Sequence, residues 1–422
     1  MKGAINLEKF FFGNGSTNKF LINLKKIILA LQHLIAMFGA TVLVPLLTGF
    51  NVNTTLFCAG IGTLIFHFCT KKKVPVFLGS SFAFIPVIQS VYNNYGSLSY
   101  AQGGIAVAGL LYVILSFVIG KVGANKIIKY FPAQVVGPMI IVIGFNLIPT
   151  AISMASSNYL VSGVTLVFCL TLSFFTEGFL KQLSIIISVI IGYILSLNIG
   201  LVDMSAVRDA AILSLPQFSA PKFDIPAIIV IAPVVLAVFM EHIGDITTNS
   251  AVVGENFLED PGLNRTLLGD GLATMVAGFL GGPANTTYGE NTGVLAITKN
   301  YDPSILRITA IFAIMLGCVG KVGGLLQTIP QAVMGGISVV LFSMIALIGI
   351  KTIKNSKINF NLKNIIIMLS IIIIGLGSHV GINIAIKITE EVSLSGLSLA
   401  ALVGVILNII LSRFEDKINR DK

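Results

Sequence analysis

Long apolar runs recur along nearly the whole of this 422-residue chain, and they constrain its fold more than any other feature. A helix needs roughly 20 residues to cross a hydrocarbon core of about 30 Å, and the runs are long enough to do so. Hydrophobic residues make up 55% of the chain and charged residues 11%, which lies outside the range of soluble globular proteins. The sequence therefore predicts an all-α polytopic membrane protein with little room for a soluble domain.

Polar and Gly/Pro breaks divide the runs into about fourteen spans. The predicted spans are residues 27–48, 54–70, 76–95, 100–120, 132–151, 160–177, 181–200, 225–248, 265–281, 283–299, 306–320, 331–350, 362–378 and 393–412. No cleavable signal precedes the first span, so residues 1–23 are expected to be a cytoplasmic segment.

The distribution of basic residues predicts the orientation of the spans. If the N-terminus is inside, the lysine-bearing loops at 71–73, 121–129 and 351–357 are all cytoplasmic, as the positive-inside rule requires. The basic residues left outside are Arg208, Lys222, Lys321 and Lys387. Both termini are therefore predicted to be cytoplasmic, and the net charge of +9 reflects topology rather than nucleic-acid binding.

Ionisable side chains within the spans are few, and each is a functional candidate because its burial in a bilayer is costly. They are His33, His67, Glu241, His242, Asp245, Asp270 and Glu290. Glu241 and Asp245 are four residues apart and share one helix face, whereas His242 points about 100° away. Two carboxylates on one face repel each other when charged, so this face is a candidate proton carrier. A polar pair that only joins helices is the alternative.

Two segments interrupt the helical pattern inside predicted spans. "VPVFLGSSFAFIPVI" (74–88) and "GGPANTTYGENTGVLAI" (281–297) each contain a proline, a short extended stretch, a glycine and a short apolar helix. Such breaks in corresponding spans indicate broken helices that meet at a substrate site, with ordinary kinks as the alternative. The broken spans are the third and the tenth, so a seven-plus-seven inverted repeat is expected.

The expected chemistry of this site suits a nucleobase. Backbone N–H groups at the half-helix ends near Phe82, Gly289 and Glu290 are donors, and the carboxylates of Glu241 and Glu290 are acceptors. A simple anion would be repelled by the carboxylates, and a bare cation would leave the donors idle. A pyrimidine or purine matches both sets. The chain lacks a phosphate-binding loop, an H-E-x-x-H zinc motif and a nucleophile elbow, so no enzyme, cofactor or metal is predicted.

Several motifs resemble the nucleobase/ascorbate transporter family, which includes the uracil and xanthine permeases. They are Glu290-Asn291-x-Gly293 with Thr298-Lys299, Gln32-His33, "FLGSSFAFI", Glu241-His242-x-Gly244 and "DPGLNRTLLGDGL". The resemblance covers essentially the whole chain. It implies a core of residues 24–130 and 222–325 that slides against a gate of residues 131–221 and 326–414, with a cytoplasmic tail at 415–422. It also implies a homodimer in the cytoplasmic membrane and uptake driven by protons.

The resemblance also assigns residue roles. It implies substrate binding by Phe82, Glu241, Gly289 and Glu290. It implies supporting or proton-coupling roles for Gln32, His33, Asp245, Asp270, Tyr288 and Asn291.

Two of these positions point to different branches of the family. Asp245 stands where uracil permeases usually have histidine and is closer to the purine branch, whereas Glu290 within "NTTYGEN" resembles the uracil branch. Glu290 is expected to touch the base, so uracil is the expected substrate. A xanthine, urate or broad nucleobase carrier is the alternative, and an anion exchanger of similar fold is a more distant one.

Overall fold

The computed structural model describes residues 19–388 and 393–420 of the chain. These residues form mostly helices, and eight helical segments among them are long and apolar enough to cross a membrane. A ninth arises if Pro303–Gly317 and Gly320–Gln327, which meet at a bend of 78°, are counted as one span. The fold class predicted from composition is thus observed in the part of the chain that the structure describes.

The helices follow one another with short connections. The first half contains α1 (Lys19–Thr48), α2 (Val52–Cys69), α3 (Ile85–Tyr95), α4 (Leu98–Val122), α5 (Ala124–Ile128), α6 (Ala133–Ala155), α7 (Tyr159–Phe175), α8 (Phe179–Gln182) and α9 (Ser184–Asn198). The second half contains α10 (Ser205–Asp209), α11 (Ile225–Ile231), α12 (Val234–Val253), α13 (Leu263–Leu280), α14 (Gly289–Thr298), α15 (Pro303–Gly317), α16 (Gly320–Gln327), α17 (Gln331–Asn355), α18 (Leu362–Leu376) and α19 (Gly396–Arg420).

Four short strands complete the described structure: β1 (Leu78–Ser80), β2 (Asn285–Thr287), β3 (Ala385–Lys387) and β4 (Ser393–Ser395). Strand β1 leads through a 3₁₀ turn, Phe82–Phe84, into α3, and β2 leads directly into α14. The two segments with Gly/Pro breaks are therefore strand-then-helix units, and α3 and α14 have only 11 and 10 residues.

Strands β1 and β2 pair with each other in the antiparallel sense, with Gly79 opposite Thr286 at the centre. All six strand residues are buried, so their backbone groups need partners inside the protein. The pairing supplies some of them, and side chains supply others. The Thr63 hydroxyl accepts from the Leu78 N–H at 2.9 Å, and the Thr274 hydroxyl donates to the Asn285 carbonyl at 3.0 Å.

Small residues let the helices around this strand pair approach closely. A Cβ at Gly109 of α4 would lie 2.7 Å from the Gly271 carbonyl oxygen of α13, and one at Gly317 of α15 would lie 2.7 Å from the Asn53 carbonyl of α2. The α6–α17 contact is similar, since a Cβ at Gly144 would lie 2.6 Å from the Phe342 carbonyl. Close backbone contact through glycine is a usual way for helices to associate in a membrane, where no hydrophobic effect drives them together.

Gly79 is the position where the strand pair is least tolerant of a side chain. A Cβ there would overlap the Tyr288 ring and lie 2.8 Å from the Thr41 hydroxyl oxygen. We expect Gly79→Ala to destabilise the protein by about 1–3 kcal/mol, because overpacking must displace the ring or the strand. Thermal unfolding in detergent measures this.

Gly163→Ala in α7 is the matched control, because nothing lies within 4 Å of a Cβ built there. A helical Gly→Ala change in open space should leave stability unchanged or raise it slightly. Equal effects of the two substitutions would contradict the steric explanation.

Candidate functional site

One face of α12 carries the acidic pair. Glu241 and Asp245 are both half-buried, and Gly244 between them is exposed, with no atom within 4 Å of a Cβ built there. Thr248, one turn further along the same face, is exposed as well. The spacing i, i+3, i+4, i+7 thus puts an accessible polar stripe on a helix that is otherwise mostly buried.

The acidic face of α12 meets the junction of β2 and α14. The Thr287 hydroxyl donates to Oδ2 of Asp245 at 2.8 Å, and a Cβ built at Gly289 would lie 3.7 Å from Asp245 Oδ1. Gly289 is exposed although residues 281–288 before it are all buried. We call the accessible space beside Gly289 and the acidic face of α12 the cleft.

Two short helices begin at this cleft without side-chain caps. Tyr288 precedes α14 and Ser81 precedes the 3₁₀ turn, and neither makes a capping hydrogen bond through its side chain. The first N–H groups of a helix have no partner within that helix, so they are available as donors. Glu290, half-buried, lies in the first turn of α14, where the helix dipole favours a negative charge. Phe82 is half-buried, with its ring 6.1 Å from that of Phe342.

Four predicted supporting residues lie on the elements around the cleft, and three of them, His33, Tyr288 and Asn291, make hydrogen bonds that join elements. The Tyr288 hydroxyl donates to the Ser80 carbonyl at 2.9 Å and so joins β2 to β1. The Asn291 side-chain amide donates to the His33 carbonyl at 3.0 Å and lies 3.1 Å from His33 Nδ1, which joins α14 to α1. Gln32, next to His33, has a buried side-chain oxygen with no hydrogen-bond partner among the described residues.

Asp270 lies on α13 and contacts α12 at His242 rather than at the acidic face. Its Oδ2 is 3.2 Å from Nδ1 of His242, and both side chains have 0% exposure. His242 follows Glu241 in sequence and therefore faces away from the acidic face, as the helix geometry predicts. The structure thus brings Glu241, Asp245, Gly289 and Glu290 together at the cleft, whereas Asp270 contacts His242 on the neighbouring face of α12.

Two residues outside the predicted site hold it in place. Thr287 fixes Asp245, and Asn249 donates to the Pro75 carbonyl at 3.1 Å and to the Thr292 hydroxyl at 3.2 Å. Thr287 could have been found from the period of two in a strand, which places Asn285 and Thr287 on one side and Thr286 on the other. No sequence pattern identifies Asn249 as a supporting residue, because its hydrogen-bond partners lie in distant segments of the chain.

An exposed ion pair joins the connections on either side of this assembly. Lys73, before β1, pairs with Asp260, between α12 and α13. The hydrogen bond from Lys73 holds the pKa of the Asp260 carboxyl below its usual range. Both side chains are exposed, so the pair marks proximity rather than a large stabilisation.

Known proteins resemble this chain along most of its length. The model of a family described as "Permease family" matches residues 24–384. A probable uracil permease of Haemophilus influenzae is 42% identical over 405 residues, covering 94% of this chain and 96% of the relative. The uracil permease of Bacillus caldolyticus is 41% identical over 402 residues, with 91% of each chain covered. That of Escherichia coli K12 is 40% identical over 401 residues, covering 92% of this chain and 91% of the relative.

Solved structures share the fold at low sequence identity. The transmembrane domain of a cyanobacterium bicarbonate transporter, BicA, has a TM-score of 0.61 at 15% identity and covers 92% of this chain and 97% of that chain. A murine Slc26a9 anion transporter in the inward-facing state has a TM-score of 0.66 at 10% identity and covers 97% of this chain and 75% of that one. Together with the apolar helices, these similarities identify a multi-pass membrane protein.

The Thr287 hydroxyl should be needed to hold Asp245 in place. We expect Thr287→Val to destabilise the protein by about 1–3 kcal/mol, because the carboxyl oxygen of Asp245 loses a buried donor. Thermal unfolding in detergent is the measurement.

Thr286→Val is the control on the same strand. The Thr286 hydroxyl is buried and has no hydrogen-bond partner among the described residues, so its loss should change stability by no more than about 0.5 kcal/mol. If the two valine variants lose stability equally, the Asp245 contact is not what Thr287 contributes.

Proposed function

This chain belongs to the permease family, and on that premise we propose that it is a secondary active transporter that imports uracil across the cytoplasmic membrane by proton symport. The observation that carries the proposal is the meeting of an acidic helix face with two uncapped half-helices at an accessible cleft. The uracil permeases among its relatives support the same substrate class. A transporter needs no covalent chemistry, so we assign no catalytic residue.

The cleft offers the donors and acceptors that the edge of a uracil ring requires. Uracil alternates C=O and N–H groups along one edge. In the proposed complex, the N–H groups of Phe82 and Gly289 donate to ring carbonyls, and the carboxylates of Glu241 and Glu290 accept from ring N–H groups. The Phe82 ring closes one side of the site, where its half-buried face leaves contact area for a base.

The alternatives fit this cleft less well. An anion would meet the carboxylates of Glu241, Asp245 and Glu290, so the likeness to bicarbonate and anion transporters supports the fold rather than the cargo. Xanthine and urate present a larger edge that also carries C=O and N–H groups. Asp245 favours these purines, because it resembles the purine branch of the family. The uracil-permease relatives favour the smaller base.

The arrangement of contacts supports fourteen spans in a seven-plus-seven inverted repeat. In that numbering α4 and α13 are spans four and nine, and α2 and α15 are spans two and eleven. Both pairs pack closely, and a shift of seven spans exchanges one pair for the other. The same shift maps the β1–β2 pair onto itself. The contacts are therefore unchanged when each span is replaced by the span seven positions away. Two copies of one unit that are related by a two-fold axis in the membrane plane would produce this pattern.

The helix contacts also support the proposed division into core and gate. In the gate, which takes residues 131–221 and 326–414, α17 packs on α6 and α7, and α18 packs on α6 and α19. Residues 24–130 and 222–325 form the core, which carries the strand pair and the acidic face. We propose that the core moves against the gate, that two copies form a homodimer, and that both termini are cytoplasmic.

The acidic face of α12 is the proposed proton carrier. Glu241 and Asp245 are one helical turn apart in a largely buried setting, so one proton shared by the pair lowers the cost of their mutual repulsion. Protonation of the Glu241/Asp245 pair from outside would favour binding of the base. Release of the base and the proton to the cytoplasm would then reset the carrier. The accessible stripe runs from Glu241 towards Thr248, at the end of α12 that is cytoplasmic in the proposed topology.

Uptake of labelled uracil into proteoliposomes should increase several-fold when the outside is made acidic relative to the lumen, because import is coupled to proton entry. Collapsing the gradient with a proton ionophore should remove the increase. Uptake that ignores the gradient would refute symport while leaving nucleobase transport standing.

A competition series identifies the cargo in the same vesicles. Uracil should compete best, with thymine, xanthine, hypoxanthine and urate weaker, and sulfate and bicarbonate without effect. Inhibition by the two anions but not by any base would overturn the nucleobase assignment.

Glu290→Gln should weaken uracil binding by about 10- to 100-fold, because it removes a hydrogen bond to a charged group worth about 1.5–3 kcal/mol. Weak xanthine binding is the expected gain, since the glutamine amide is both donor and acceptor. Glu255→Gln, at an exposed position just past α12, is the control and should bind uracil normally. Unchanged uracil affinity in Glu290→Gln would remove this residue from the site.

A further inference from the structure

His242 and Asp270 form the most deeply buried acid–base pair that the structure describes. Their side chains have 0% exposure, and Nδ1 of His242 lies 3.2 Å from Oδ2 of Asp270. Neither Asp270 oxygen has a hydrogen-bond partner among the described residues, so the ion-pair contact with His242 Nδ1 is the polar contact that the structure records for this carboxyl. A buried carboxylate without a compensating charge or donor costs several kcal/mol, so the pair must hold a proton, either on His242 or on Asp270 itself.

The surrounding hydrogen bonds define how many protons the pair holds. The Thr266 hydroxyl donates to the Leu263 carbonyl at 3.0 Å, so it can accept from Nε2–H of His242, which is 3.0 Å away. Nδ1 then either donates to a charged Asp270 or accepts from a protonated one. One proton lies between Nδ1 and Oδ2 in both states, and the pair is neutral overall in both.

The pair is adjacent to the proposed proton carrier without belonging to it. His242 follows Glu241 on α12, and Asp270 precedes Gly271, against which Tyr112 of α4 packs. The Tyr112 hydroxyl is buried and has no hydrogen-bond partner among the described residues. Several elements that pack against α12 carry titratable groups. They are Tyr100, Tyr112 and Lys121 on α4, Arg265 and Asp270 on α13, Glu290 on α14, and Glu259 and Asp260 in the turn beyond α12, while α19 carries charged residues only from Arg413 onward. Helix α6 contributes none.

We propose that His242 and Asp270 are a positioning pair which, by staying neutral, sets the proton affinity of the Glu241/Asp245 face and holds α12 against α13. The proposal rests on the proton symport proposed above. A negative charge left on Asp270 would make Glu241 and Asp245 hold their protons more tightly, because like charges in a buried region are weakly screened. His242 prevents this charge from being uncompensated.

The test is a set of variants compared by the pH dependence of uracil uptake in proteoliposomes. His242→Asn keeps a donor near Asp270 but cannot carry the compensating charge. We expect its pH of half-maximal uptake to rise by about one unit, a tenfold change in proton affinity. Asp270→Asn leaves a neutral amide beside neutral His242 and should stay within about threefold of the wild-type proton affinity. The double variant His242→Asn with Asp270→Asn removes the charge again and should return to the wild-type midpoint.

A purely structural contact would give a different pattern. Both single variants would then lose thermal stability and uptake rate while keeping the wild-type midpoint, and that result would overturn the proposal. Failure of the double variant to restore the midpoint would overturn it as well. If wild-type uptake itself has no proton dependence, the proposed symport fails rather than the pair. In that case the single variants' stabilities, measured with the double variant as a double-mutant cycle, still test whether the two side chains are coupled.

Discussion

The antiparallel pairing of β1 with β2 is the interaction on which the rest of the site depends. Non-helical backbone is excluded from lipid unless protein or water satisfies its polar groups, so each strand can exist at this depth only because the other is present. The Tyr288 hydroxyl strengthens the link by donating to the Ser80 carbonyl. Once the strands are paired, α14 and the 3₁₀ turn before α3 must begin near one another in the interior, where their first N–H groups have no partner within their own helix.

Close packing of helices around the strands makes this arrangement rigid. Glycines at the α4–α13 and α2–α15 contacts bring backbones together on both flanks of the pair, and Asn285 donates from its side chain to carbonyls of Cys58 and Ala273. The acidic helix α12 is then held from two sides. Thr287 fixes Asp245 at the cleft, and Asp270 meets His242 behind it. A helix anchored in this way can present carboxylates to a cavity without losing their position.

The sequence predicts the fold class and the positions of the interrupted helices better than it predicts the contacts between distant segments. Composition and apolar runs correctly indicate a helical membrane protein, because lipid permits few alternatives. The shared face of Glu241 and Asp245 follows from helical periodicity alone, and so does the turning away of His242. Contacts such as Asn249 with Pro75 or Asn291 with His33 join positions far apart in sequence, and no local pattern specifies them. The roles of the site residues remain predictions.

The placement of the acids on both sides of α12 has a consequence for transport. A carrier of neutral bases that moves its site through a membrane must not leave that site charged, because an uncompensated ion there is costly. At the cleft, protons can neutralise the carboxyls of Glu241, Asp245 and Glu290, and a ligand's N–H groups can stabilise those that stay charged, so an empty deprotonated cleft is unfavourable. Behind the cleft, Asp270 already has His242 as a permanent partner. In the proposed cycle, the charge that varies is thereby confined to the face that would meet the substrate, and this would link occupancy by the base to occupancy by a proton.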